Sequence, residues 1–211
     1  MTTPSCSVHA GAPEPAAPFV RDTVRWLERA VIGLNLCPFA KGVHVKGQIH
    51  YAVTLAEDPA QVLEVLRAEL SALVATSPEQ RDTTLLIVPQ CLHGFLDFND
   101  FQGDAEAVLE GMGLVGTVQI ASFHPQFQFG GTDAEDVTNC TNRAPYPTLH
   151  LLREASIDRA VEVFPDAETI FERNMEVLRG LGLTGWAALD VGPGAASVTT
   201  ATASEGGGAQ P

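Results

Sequence analysis

Apolar positions recur along the chain in blocks whose spacing switches between helical and strand-like. Val20, Val24, Leu27, Val31 and Leu34 step by four, three, four and three, which is one face of a helix. That helix is predicted to start near Pro18, a suitable first-turn residue, and to end around Asn35–Pro38, because Pro38 cannot continue it. A strand is expected at 48–55 (QIHYAVTL). Asp58 then caps a helix over 59–75 with Val62, Leu63, Val65, Leu66, Leu70 and Leu73 on its buried side. Thr83–Val88, short, apolar and closed by Pro89, reads as a central strand buried on both faces. A helix over 99–112, ended by Gly113, and a strand over 116–123 follow. A long connection returns to a fourth strand at 147–152. Within it Thr132-Asp-Ala-Glu135 fits a capping box, predicting a short helix over 133–141. Helices over 155–163 and 167–180, the second ending at Gly180 or Gly182, close the domain.

Strands alternating with helices imply crossover connections. The expected fold is a single-domain α/β sandwich, with a mixed or mostly parallel sheet of four to five strands covered by helices. Ligands of such sheets sit beyond the C-terminal strand ends, which here gathers Pro89–Asp97 and His124–Arg143. The flanks differ in composition. Residues 1–17 are rich in Ala, Pro, Ser and Thr and are expected to be a disordered tail. Residues 191–211 are low in complexity and expected to be flexible, leaving 18–190 as one domain.

Charge narrows the partners. With 12 Lys+Arg against 26 Asp+Glu the chain carries −14, the wrong sign for gripping nucleic acid or an anionic membrane. Cys6, Cys37, Cys91 and Cys140 are scattered with no C-x-x-C pair, as reduced cytoplasmic thiols would be. No signal peptide and no stretch of transmembrane length is expected. Walker, nucleophile-elbow and H-E-x-x-H motifs are absent.

The chemistry concentrates between Ser122 and Glu154. His124 leaves a strand into a loop, a good position for a base or a ligand. Asn142, Arg143 and Tyr146 stand around a stiff Pro145-Tyr146-Pro147, where Arg143 could grip a small anionic ligand. Gln126 lies beside His124. His150, between Leu149 and Leu151, reads more as a core residue than as a ligand. Cys37, in Cys-Pro-Phe, resembles the active-site turn of glutaredoxins. Here, however, it follows a helix, whose C-terminus raises a thiol pKa, and the second cysteine is missing. Cys91 and His93 stand two apart beside a strand end, a spacing that is weak evidence for a metal.

Asn35-Leu-Cys-Pro-Phe-Ala40, Ala121-Ser-Phe-His-Pro-Gln126, Thr141-Asn-Arg143, Pro145-Tyr-Pro147 and Leu149–Arg159 resemble the bacterial domain of unknown function 1415 family, from about Phe19 to Leu183. The resemblance brings no assigned activity. It places Cys37, His124, Asn142, Arg143, Tyr146 and His150 in the motif blocks, and not Cys140. Three functions stay open. One is a cytosolic small-molecule enzyme, with Cys37 and His124 catalytic and Arg143, Asn142, Tyr146 and Gln126 holding substrate. The second is a metal site of Cys37, His124 and His150 or Asp97. The third is a non-catalytic ligand-binding module. No particular cofactor or oligomeric state is singled out.

Overall fold

A computed structural model of the chain describes residues 15–163 and 169–194. The tails expected at 1–17 and 191–211 lie largely outside these residues. So do residues 167 and 168 of the last predicted helix.

Strands β1 (Ile49–Val53), β2 (Thr83–Ile87), β3 (Val118–Phe123) and β4 (Thr148–Arg153) form one mixed sheet in the order β1-β2-β4-β3. β1 and β2 are parallel, whereas β4 runs antiparallel to both β2 and β3. The first three strands therefore share one direction and deliver their C-terminal ends to the same edge.

Helices α3 (Pro59–Ala75) and α4 (Phe95–Gly111) cover one face. The α3 positions Val62, Leu66, Leu70 and Leu73 meet Phe98, Phe101, Ala105 and Val108 of α4 over Ala52, Leu86, Leu149 and Leu151. Asp58 caps α3 as expected, its carboxylate accepting from the Ala60 N–H at 2.7 Å. α4 starts earlier than its apolar pattern implied, because Gly94 supplies the extended N-cap.

The other face carries Tyr51, Leu85, His150 and Ala121 in register across the four strands. Helix α1 (Ala17–Trp26) runs on into a π-turn (Leu27–Ile32) and covers this face over β1 and β2, with Trp26 reaching Phe123 of β3. Asn35, at φ 54°, reverses the chain out of that helix. A short helix that the pattern did not reveal, α2 (Ala40–Val45), follows. Helix α5 (Glu154–Val163) leaves the end of β4. Helix α6 (Ile170–Ala188) breaks at Gly182, where φ is 68°, and resumes to place Trp186 on the α1 side of the core.

The capping box at Thr132 does not form. The Thr132 hydroxyl donates to the Phe129 carbonyl, and Asp136 instead caps a 3-10 helix, Val137–Asn142. Val191 is buried, and Arg25 and Asp22 of α1 hold the Asp190 and Gly192 carbonyls and the Gly194 N–H. Among the described residues, no helix is long and apolar enough to cross a membrane.

Candidate functional site

The edge beyond the C-terminal ends of β1, β2 and β3 gathers the loops expected there, yet their polar groups are used on the loops themselves. His124 is fully buried and stacked on Phe98, ring centroids 5.1 Å apart. Its Nε2–H donates to the Leu92 carbonyl at 3.1 Å, and its Nδ1 accepts from the Gln126 N–H at 3.0 Å. Burial draws its pKa below the usual histidine value. Both nitrogens are thus committed to backbone, which leaves no atom for a substrate proton or a metal.

The neighbouring candidates behave alike. Asn142 donates to the Ser122 carbonyl, and Asn139 holds the Phe129 N–H and the Asp133 carbonyl. Arg143 donates to the Phe127 and Ala134 carbonyls at 3.2 and 2.6 Å. The Tyr146 hydroxyl donates to buried Asp22 at 2.6 Å. Arg143 and Gln126 do share the wall of an open pocket of about 730 Å³ at the start of α4. Loop backbone that runs through a fold must find partners. That need accounts for the polar richness of this stretch.

Cys37 lies elsewhere. It lines a cavity of about 390 Å³ on the opposite face, floored by residues of all four strands from Ile49 to Phe123, which His124 does not reach. The π-turn side contributes Trp26, Leu27 and Val31. The sheet floor contributes Leu85, Ala121, Phe123 and His150, and α5 contributes Ile157 and Ala160. Asp82, Gln119, Arg153 and Ser156 stand at the polar rim. The rim is largely self-satisfied. The Ser156 hydroxyl donates to Asp82 at 2.6 Å, and the Arg153 guanidinium donates to the carbonyls of Leu73, Thr76 and Arg81.

Two groups in this apolar wall carry chemistry. Burial pushes the Cys37 thiol up, ahead of the opposing N–H groups of Phe39 and Ala40, so it is a neutral thiol at neutral pH. His150 is pulled down to about 4 by burial alone and is a neutral imidazole there. Its Nε2 lies 2.7 Å from the Thr83 hydroxyl, and that hydroxyl lies 2.7 Å from the Leu151 carbonyl. A carbonyl only accepts, so the hydroxyl hydrogen belongs to that contact, and the hydrogen of the other comes from Nε2. His150 is therefore the Nε2–H tautomer, with an unshared lone pair on Nδ1.

Among the described residues, no three or more His, Cys, Asp or Glu side chains converge as a metal site. Cys37 and His150 share a cavity, while His124 and Asp97 lie outside it. Cys140 is fully buried with Leu36 and Leu178 under α6. Sequence reasoning passed over the cavity because its walls are ordinary core residues. The available signal was local: a small Ala121 and a His150 at positions paired across two strands.

A family model described as protein of unknown function (DUF1415) matches residues 19–188. No curated protein and no solved structure matches the chain.

Proposed function

The chain belongs to the domain of unknown function 1415 family, and on that premise we propose that it is a binding domain for a small, mostly apolar molecule held on the face of the sheet opposite α3 and α4. The observation that carries this reading is the cavity itself. Its volume, about 390 Å³, falls in the range of small-molecule sites, roughly 300–1,000 Å³. Its walls are mostly apolar and aromatic, with the unshared Nδ1 of His150 and the Cys37 thiol among them, which is the usual mixture of burial and orientation in such sites.

A thiol–imidazole reaction draws less support. A nucleophilic cysteine needs a base that takes its proton and stabilises the thiolate. Here burial favours the neutral form of both Cys37 and His150. An anionic ligand on Arg143 has the open pocket beside Gln126 in its favour, but two loop carbonyls already occupy the guanidinium.

The test is a titration with naphthalene, followed by calorimetry and by the fluorescence of Trp26, a cavity residue that is only 2% exposed. Saturable binding with a change in Trp26 emission, absent in Trp26→Phe, is expected. Bound naphthalene should also raise the unfolding temperature with concentration. Lack of any saturable binding sinks the reading.

A further inference from the structure

We infer that the ligand is a flat apolar molecule bearing a neutral hydrogen-bond donor, a phenolic hydroxyl or an indole-type N–H, and that His150 Nδ1 is the atom that recognises it. This rests on the cavity being a binding site and adds the chemical class of what enters.

Thr83 sets the state of the imidazole. Its hydroxyl is tied to the Leu151 carbonyl and accepts the Nε2–H of His150, which fixes the tautomer and holds the ring in place. The second nitrogen, Nδ1, is then an acceptor on a residue that lines the cavity. Among the described residues, the charged and hydroxyl groups of the wall are occupied, and the Gln119 amide stands exposed at the rim. Asp82 holds Ser156, Arg153 holds backbone carbonyls, and Thr83 has given its only hydrogen.

An acceptor in an apolar wall selects for a donor, because an unpaired polar group away from water is costly and one that gains a partner is not. A carboxylate would face a lone pair and no free cation. An ammonium would lose its water against Trp26, Leu85 and Phe123, and the one carboxylate of the described lining, Asp82, stands at the rim and already holds the Ser156 hydroxyl. A neutral O–H or N–H on an apolar ring suffers neither penalty. The ring shape follows from the walls: Trp26 meets Phe123 edge-on at 5.1 Å, and Phe123 meets His150 at 6.0 Å, tilted by 39°. Aromatic edges and faces at these spacings favour a planar guest.

The experiment compares naphthol, methoxynaphthalene and naphthalene on the full chain by calorimetry. Naphthol should bind about tenfold more tightly than either of the others, the worth of one buried hydrogen bond. In His150→Phe that advantage should vanish while naphthalene still binds. Thr83→Val serves as a second variant if His150→Phe does not fold. Thr83 is a positioning residue, and without it the imidazole is free to change tautomer, so the naphthol advantage should shrink. Nitrogen NMR of the wild type gives an independent readout. The Nδ1 resonance of His150 should move on adding naphthol and stay in place with methoxynaphthalene. If all three bind equally to the wild type, or if the naphthol advantage survives in His150→Phe, the inference is overturned while the cavity reading stands. If none of the three binds, both fall together.

Discussion

His124 and His150 are both drawn below the usual histidine pKa by burial, yet their second nitrogens meet different surroundings. His124 spends Nε2 on Leu92 and Nδ1 on Gln126, and so pins two loops to each other. His124→Leu would strand a buried carbonyl and an amide, at a cost of about 2–4 kcal/mol. Chemical denaturation should show that loss, with naphthalene affinity unchanged; a drop in affinity without a drop in stability would return His124 to the site. Among the described residues, His150 has one hydrogen-bond partner, Thr83. Its folded pKa, about 4, is below the ordinary 6.5. Below pH 6.5 the unfolded chain binds a proton that the folded chain refuses, so stability falls as pH drops from about 6.5 towards 4. Above that window the effect is flat. The loss attributable to this residue at pH 4 is of order 3 kcal/mol. His150→Gln should therefore lose less stability than the wild type across that interval. Parallel pH curves for the two would show that His150 does not titrate this way. From sequence, the two histidines could be ranked only by setting. A loop position looked reactive and a strand position looked inert, because hydrogen-bond partners more than thirty residues away are not visible in a chain.

At the scale of elements, the legible ones were those whose apolar spacing is sustained and whose ends carry their own chemistry. Helix α3 is the clearest, with Val62, Leu66, Leu70 and Leu73 on one face and Asp58 closing its start. Asp58→Ala should cost about 1 kcal/mol, measured by denaturant midpoint, as an N-cap deletion does. The elements that escaped are short or are decided from outside. The π-turn after Trp26 keeps the apolar periodicity of a plain helix, and α2 spans only six residues. The 3-10 helix at Val137–Asn142 takes Asp136 as its cap because Thr132 is diverted to Asn139 and Phe129. Helix α5 is of another kind. Its described side chains are none of them fully buried, and Ile157 and Ala160, three apart, face the cavity. A helix held by so little apolar contact opens easily. Amide exchange in α5 should be faster than in α3, and naphthalene should slow α5 selectively. Uniform slowing across the chain would mean only general stabilisation, and no slowing in α5 would place the guest elsewhere.

For the whole molecule, the cavity follows from the sheet order. With β4 inserted between β2 and β3, the face opposite α3 and α4 is wider than one helix can cover. Helix α1 and its π-turn pack over β1 and β2 and reach β3 through Trp26 on Phe123, and the space left above Ala121 and His150 is walled on its other side by Ile157 and Ala160 of α5. The sequence foretold the sheet and its two helical layers, since those depend on pattern. It did not foretell the gap between α1 and α5, which depends on where a helix comes to rest. The C-terminal strand edge, where doubly wound sheets usually hold their ligands, is here partly closed by His124 packed between Phe95 and Phe98. A substitution in the floor distinguishes empty binding space from loosely drawn core. Ala121→Leu adds three carbons beside His150, its partner across the strands. In a filled core such an insertion costs typically 1–3 kcal/mol through displaced neighbours. In an open cavity of about 390 Å³ the added side chain finds room and gains up to about 2 kcal/mol from burial. The expected result is equal or higher stability together with at least a tenfold loss of naphthalene affinity. A destabilised protein would show that the space is already packed, and a stabilised one that binds naphthalene as before would show that the guest sits outside it.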